Sequence, residues 1–380
     1  MSDYKGLVYC FVVDRHRLAL FGDVRNYIGF GQCSVLFPAT LPNLFLDGDP
    51  IISRCDDLHH HFIHKQTERK KNMRSLVLYL ASLSAAGILM SGCQTQAQEE
   101  VEFTHIHGLG FTEDGEQAYI PAHDGLRVYE NGTWRNVESG EGELHDFMGF
   151  TMTSEGFYSS GHPNMQSDYE NPFGLVKSTD GGETLDLLAL EGEVDFHVMS
   201  ASFNTDAIYV MNPEPNSGMD ELGLHRTLDE GQEWEPRDGD GVNGSVIAIG
   251  AHPDEENRVA LSTEEGTFQS DDAGDSFEQV LSGVPAPALT YAHTGELLVA
   301  EGMGEETTLK AIDASGEVVR EIPAPSIEEE DAISYLAQNP QFENTLMVTT
   351  FERDIFYTEN GGETWEKQAE QGVSLNESSL

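Results

Sequence analysis

Short apolar segments alternate with turns rich in Gly, Asp, Asn and Pro over residues 103–370. Six of these segments recur at intervals of about 45 residues, and we predict that each forms the innermost strand of a repeated sheet. The six segments are residues 106–111, 147–152, 198–203, 246–251, 288–292 and 333–337. Further short strands follow each of them, as in residues 118–122 and 174–178. The pattern therefore predicts an all-β protein that is built from repeats.

One turn motif occurs four times in these repeats. The copies are residues 177–185 (KSTDGGETL), 226–234 (RTLDEGQEW), 269–277 (QSDDAGDSF) and 357–365 (YTENGGETW). We expect the acceptor side chains of Asp180, Asp229, Asp272 and Asn360 to bond backbone N–H groups two residues further on, while a Gly relaxes the turn. The apolar residue at the end of each copy then enters a sheet. Each motif is thus predicted to be a rigid structural turn.

The spacing of the motifs predicts the fold. Asp180, Asp229 and Asp272 are 49 and 43 residues apart, and Asn360 lies 88 residues further on, which is two more periods. Shortened copies at residues 313–318 and 131–134 bring the number of repeats to six. A period of roughly 40–50 residues made of short strands is typical of β-propellers, with one four-stranded blade per repeat. We predict six blades over residues 103–370, with seven as the alternative, and a polar tail at residues 371–380.

The motif resembles the Asp box, or BNR repeat, of sialidases, sortilin-type receptor domains and photosystem assembly factors. Over residues 103–370 the chain is similar to bacterial surface lipoproteins described as glycosyl-hydrolase-like BNR proteins. The resemblance implies an Asp-box propeller of the sialidase and sortilin-like superfamily. It implies no particular activity, because the box is a structural turn and this fold carries many functions.

The first 93 residues have a different character. Residues 73–92 begin with Met73 and Arg74, continue as an apolar run and end in Met-Ser-Gly before Cys93, which resembles a lipoprotein signal peptide. Lipidation of Cys93 would hold the chain at the extracellular face of the cell membrane, with residues 93–102 as a tether; a short transmembrane helix is the alternative. Residues 1–72 lack periodicity, and we interpret them as a mistranslated upstream leader or a disordered extension.

The chain after Cys93 is strongly acidic. It contains 10 Lys and Arg against 59 Asp and Glu, a net charge near −49, which disfavours nucleic-acid partners and anionic lipid surfaces. Such a composition is typical of secreted proteins from salty, halophilic or alkaline habitats. We interpret the charge as solvation of a folded monomer, with Ca²⁺ capture by acidic loops such as residues 328–331 as the alternative. Because no Cys follows Cys93, we expect strand pairing to close the ring.

Histidines gather at one predicted rim of the propeller. The start of each innermost strand and the end of each second strand share a rim, and six of the nine His residues after Cys93 fall there, together with Asp146. The candidate metal ligands are His105, His107, His123, His145, Asp146, His162 and His197. Imidazoles with a carboxylate suit Zn²⁺, Cu²⁺, Ni²⁺ or Fe²⁺, and Met165 and Met219 in nearby loops would favour copper. The alternative is that these His side chains cap strand ends.

Carboxylates on the opposite sector of the rim suggest a second chemistry. Glu301 and Glu352 end second strands, and two such carboxylates could perform the acid and base steps of glycoside hydrolysis. Sialidase activity is disfavoured because only Arg353 falls at this rim, whereas sialidases bind their substrate with three Arg residues. The sequence therefore predicts an exported binding or assembly module with a metal, glycan or protein ligand at the histidine-rich rim. Glycoside hydrolysis is the alternative function.

Overall fold

The computed structural model describes residues 10–14, 17–21, 100–137 and 144–375. The chain divides into two compact units, Met1–Cys93 and Gln94–Leu380. In the first unit, β1 (Cys10–Asp14) and β2 (Arg17–Phe21) form an antiparallel pair that the sequence analysis did not predict. The predicted signal peptide and Cys93 lie outside the described residues. Within the described residues, no helix is long and apolar enough to cross a membrane.

The second unit is a six-bladed β-propeller, as predicted, and each blade is an antiparallel sheet. Blade 1 contains β3 (Gly110–Phe111), β4 (Gln117–Ala122), β5 (Gly125–Glu130) and β6 (Thr133–Asn136). Blade 2 contains β7 (Asp146–Thr153), β8 (Gly156–His162), β9 (Leu175–Ser178) and β10 (Asp186–Ala189). Blade 3 contains β11 (Met199–Ala201), β12 (Ile208–Asn212), β13 (Gly223–Thr227) and β14 (Glu235–Pro236).

The remaining three blades follow the same order. Blade 4 contains β15 (Val246–Ala251), β16 (Val259–Thr263), β17 (Gly266–Ser270) and β18 (Glu278–Ser282). Blade 5 contains β19 (Ala288–Tyr291), β20 (Leu297–Glu301), a short 3₁₀ helix (Gly304–Glu306), β21 (Thr308–Ile312) and β22 (Val318–Ile322). Blade 6 contains β23 (Ile333–Gln338), β24 (Leu346–Thr350), β25 (Ile355–Thr358), β26 (Glu366–Glu370) and β27 (Val373–Ser374).

Burial explains the apolar runs in the sequence. Every residue of β16, β17, β20 and β24 is buried, because neighbouring blades cover both faces of these middle strands. The outermost strand β18 is mostly exposed or half-buried and carries polar side chains. The second strand of a blade is therefore buried along most of its length, whereas the last strand has a mixed pattern.

Strand pairing closes the ring, as the absence of cysteine led us to expect. The innermost strands contact one another in the order β3, β7, β11, β15, β19 and β23, and β23 contacts β3 again. Glu102 forms an antiparallel bridge with Val373, and the Phe103 N–H donates to the Gly372 carbonyl oxygen at 2.7 Å. Because the hydrophobic clusters and this closure belong to residues 101–374, the unit Gln94–Leu380 contains the interactions that it needs to fold alone.

The four repeated turns share one hydrogen-bond arrangement, which differs in one respect from our expectation. In the first, Asp180 Oδ1 accepts from the Thr184 N–H at 2.9 Å, four residues on rather than two, and from the Ser178 hydroxyl at 2.9 Å. The backbone of Gly182 adopts a φ of +95° and donates to Ser178 Oγ. The other three turns repeat the bond to the residue four positions on: Asp229 with Glu233, Asp272 with Ser276 and Asn360 with Thr364. The span is longer because the turn contains two residues with positive φ, Gly181 and Gly182.

Candidate metal-binding rim

His105, His107 and His123 come together where blade 1 begins. The Ile106 side chain is buried in the core, and the backbone of Ile106 forms a β-bridge with that of Ala122. Because neighbouring residues of an extended chain face opposite sides, His105 and His107 point away from this core. His123 follows directly after β4. We define the histidine-rich rim as these residues with their neighbours in blade 2 and in the segment between blades 2 and 3: His105, His107, His123, Asp146, His162, Asp195 and His197.

The three imidazoles of blade 1 lie close to one another. One nitrogen from each of His105, His107 and His123 lies within 4.8 Å of the other two, and the ring centroids are 4.8–5.1 Å apart. Two atoms bound to one Zn²⁺ at ordinary lengths are at most about 4.2 Å apart. Because His105 and His123 are exposed, small rotations of their rings would bring the three nitrogens within bonding distance of a shared ion.

Asp146 orients this group. Its Oδ2 atom lies 2.6 Å from His123 Nδ1, which donates its hydrogen and leaves Nε2 as the free lone pair. Metal-binding histidines commonly donate their second ring N–H to a carboxylate in this way. The other carboxylate oxygen, Oδ1, lies 3.8 Å from His107 Nε2, and both of these buried atoms lack a hydrogen-bond partner. A cation between them would satisfy both atoms.

Burial keeps His107 in the neutral form that binds metals. Its side chain is 13% exposed, and burial, followed by the nearby His123, His105 and His197 rings, lowers the pKa of His107 to about 4. A neutral imidazole has a lone pair available to a metal at neutral pH. His107 would therefore need no deprotonation before an ion could bind to it.

A second group lies beside the first and centres on Asp195, which the sequence analysis missed. Asp195 Oδ2 is 3.3 Å from His162 Nε2 and 3.2 Å from His197 Nδ1. His162 Nδ1 is also 2.7 Å from Asn171 Oδ1. The only sequence signal is that Asp195 and His197 are two residues apart, as His105 and His107 are.

The local backbone brings this second group against blade 2. Val194 and Phe196 are buried in the core, so the alternating Asp195 and His197 face the rim. Phe196 donates its N–H to Ser160 Oγ in β8 at 2.9 Å. Gly149 in β7 has a φ of +53°, and a Cβ there would lie 2.2 Å from the Phe196 carbonyl oxygen. Glycine at this position therefore allows the two segments to approach.

Asp195 is a carboxylate with an incomplete set of partners. Its side chain is 12% exposed, and its buried Oδ1 atom accepts no hydrogen bond. Ser160 Oγ lies 2.6 Å from the Gly174 carbonyl oxygen, and the same hydroxyl near Asp195 acts to lower the pKa of that carboxyl. Burial raises the pKa of Asp195; the nearby His197 and His162 rings oppose that effect, and the Asp146 carboxylate adds to it.

A central cavity of about 330 Å³ opens beside the rim. His105, His107 and His197 line it together with Ile247 from blade 4 and Phe351 and Arg353 from blade 6. An ion held by the imidazoles would therefore be accessible to a small molecule in this cavity.

Two of the predicted ligand positions, His145 and Met219, need correction, and the prediction for Met165 is not tested by its position. His145 is 5% exposed, contacts the Phe147, Tyr169 and Phe173 rings, and its Nδ1 accepts the Asn164 N–H at 3.1 Å. It points away from Asp146 because successive strand residues face opposite sides. Met219 is 2% exposed in the core of blade 3, and Met165 is fully exposed, so the expected thioether contribution to a copper site is wrong for Met219 and is not supported by Met165.

The acidic sector does not present a pair of free carboxylates. Glu301 is 3% exposed and forms an ion pair with Lys310 on the next strand, whereas Glu352 is exposed. Neither residue lines the central cavity. In the predicted Ca²⁺ loop, Asp331 is buried and its Oδ1 accepts the N–H groups of Ala332 and Glu352, which makes it a cap of the loop.

The fold and the rim define a β-propeller with a cluster of imidazoles and carboxylates beside its central cavity. No protein-family model matches the chain, and a search of curated proteins finds no relative. The similar solved structures include a GH74 xyloglucanase from Xanthomonas campestris (16% identity, TM-score 0.46, 71% of this chain and 46% of that chain). They also include a gluconolactonase from the same organism (12%, 0.48, 68% and 87%) and YCF48 bound to D1 peptide (14%, 0.43, 72% and 85%). This chain spans about half the length of the xyloglucanase.

Proposed function

We propose that this protein is an exported, lipid-anchored β-propeller of the Asp-box type that binds a transition-metal ion at its histidine-rich rim. The observation that carries the proposal is the convergence of His105, His107 and His123 with Asp146 holding the His123 ring. Three imidazoles with a carboxylate behind one of them form a donor set that leaves a further coordination position open.

The donor set favours Zn²⁺ or Cu²⁺. Imidazole nitrogen suits both ions, and the described ligands include no thiolate or thioether that would select Cu⁺. The surrounding chain carries a large negative charge, which attracts cations to the rim from solution. Because His105 and His107 line the central cavity, a small ligand or the side chain of a protein or glycan partner could reach an ion held there.

The extracellular location belongs to the same proposal. The apolar run before Cys93 supports export and lipidation. No Cys follows Cys93, so this domain needs no disulfide bond in order to fold outside the cell. A lipid-anchored propeller would expose the rim to metal ions outside the cell. We propose a binding or assembly role rather than catalysis, because Glu301 is committed to Lys310.

The test is metal retention by the unit Gln94–Leu380, which lacks the five His residues and four Cys residues of the first 93 residues. The purified domain is loaded separately with Zn²⁺ and Cu²⁺, dialysed, and analysed for metal per chain and for melting temperature. We expect bound metal and a raised melting temperature. The ion held by these histidines, and the part of the melting-temperature increase that it provides, should be lost when His105 and His107 are replaced by Ala. His293→Gln, a histidine of blade 5 outside the rim, is the matched control. A domain that retains no metal would refute the proposal.

A further inference from the structure

We infer that Asp195, His162 and His197 form a second cation subsite, so that the rim holds two neighbouring divalent ions. This inference extends the proposed function, since it assigns a second ion to the same rim. It rests on the geometry of a group that is separate from His105, His107 and His123.

The first argument is the direction of the His162 ring. His162 Nδ1 lies 2.7 Å from the Asn171 amide oxygen and donates its hydrogen there. This contact turns the other ring nitrogen, Nε2, toward Asp195 Oδ2, 3.3 Å away. A cation placed between these two atoms would be bound by both of them.

The two distances to Asp195 Oδ2 agree with this assignment. The separations of Asp195 Oδ2 from His162 Nε2 and His197 Nδ1, 3.3 and 3.2 Å, are longer than a charge-assisted hydrogen bond. Two atoms bound to one tetrahedral Zn²⁺ are separated by roughly 3.3–3.5 Å. The His162 and His197 side chains are 42% and 62% exposed, so an ion from solution could reach both rings; the contact with Asn171 holds the His162 ring, whereas the His197 ring could turn toward the ion.

The buried oxygen of Asp195 gives an independent argument. Asp195 Oδ1 is inaccessible to solvent and accepts no hydrogen bond, and a carboxylate oxygen without a partner is costly inside a protein. Asp146 Oδ1 in the first group has the same property. Each group thus contains one buried carboxylate oxygen that a cation would satisfy.

The two groups are adjacent in the sheet. Asp146 in β7 is paired directly with His162 in β8, so their side chains share one face at neighbouring positions. Gly161 has a φ of +115°, and a Cβ there would lie 2.1 Å from the Asp146 carbonyl oxygen, so this close pairing requires glycine. His162 therefore lies next to the carboxylate of the first group while it contacts the carboxylate of the second.

The experiment is the metal stoichiometry of Gln94–Leu380 after Zn²⁺ loading and dialysis. We expect two ions per chain for the wild type and one ion per chain for Asp195→Asn and for His197→Gln. The His197 side chain is exposed, so its replacement leaves the core unchanged. Asp168→Asn, an exposed carboxylate in the β8–β9 loop, is the matched control and should keep two ions. Circular dichroism of each variant verifies that it is folded.

Loading with Cu²⁺ tests adjacency. Two neighbouring Cu²⁺ ions broaden each other's electron paramagnetic resonance spectrum, and Asp195→Asn should restore the narrow spectrum of an isolated ion. One ion in the wild type, unchanged by Asp195→Asn, would refute the second subsite while leaving the proposed function intact. No ion in the wild type would refute the proposed function itself.

Discussion

Phe103 packs where the first and last blades of the propeller meet, and replacement of its side chain should strongly destabilise the closed propeller. The side chain is 1% exposed, and its ring meets Trp134 edge to face at a centroid distance of 4.8 Å. It packs in a cluster that contains Phe111 of blade 1 together with Ile355 of blade 6. The substitution Phe103→Ala would therefore leave a cavity where the first and last blades meet.

The expected loss follows from the size of the removed side chain. Replacement of a fully buried Phe by Ala costs about 3–5 kcal/mol, from lost burial and from the cavity that remains. The Phe103 N–H should keep its bond to the Gly372 carbonyl oxygen, so the estimate concerns the side chain alone. Since domains are stable by only about 5–15 kcal/mol, this is a large part of the total.

The assay is equilibrium unfolding of Gln94–Leu380 in guanidinium chloride, followed by tryptophan fluorescence. Trp134 contacts the mutated position and therefore reports on the ring closure directly. Phe342→Ala is the matched control, because that side chain is 63% exposed and its loss should change the free energy of unfolding by about 0.5 kcal/mol or less. A loss below about 1 kcal/mol for Phe103→Ala would show that the closure does not depend on this core.

Three further predictions concern an ion pair, pH and the membrane anchor. Glu301→Ala should cost about 3 kcal/mol in chemical denaturation, because it leaves the Lys310 ammonium group without its carboxylate, whereas the double change with Lys310→Met should recover much of that loss. The free energy of unfolding should keep its full value above pH 6.5 and decrease as the pH falls below 6.5. Burial lowers the pKa of His145 and His252 in the folded protein, so the unfolded chain binds protons at a higher pH than the folded protein does. A melting temperature that is constant between pH 7 and pH 5 would contradict this prediction. The variant His252→Asn should show a weaker dependence of stability on pH, because His252 Nδ1 accepts the N–H of Glu255 in the folded protein. Cys93→Ser should move the protein from the membrane fraction to the soluble fraction and abolish labelling by a radioactive fatty acid; unchanged fractionation would exclude lipidation at Cys93.

The sequence alone determined the repeat and the local direction of side chains. The four turn motifs specify their own geometry, because Asp180 and its counterparts bond groups only two to four residues away. The predicted strand 246–251 coincides with β15 because apolar residues and turn residues alternate on the scale of a single strand. For the same reason His105 and His107 could be placed on one side of the chain before the structure was known.

Only the tertiary structure decided which of these side chains meet. Asp195 lies more than thirty residues from His162, and their contact depends on Gly149 allowing the chain after blade 2 to pack against β7. His145 and Asp146 are adjacent in sequence, yet the pairing of β7 with β8 turns Asp146 toward the rim and His145 into the core. Met219 was expected in a loop at the rim but fills the core of blade 3. Such contacts depend on the packing of whole blades, whereas the sequence pattern reports only the neighbours along each strand.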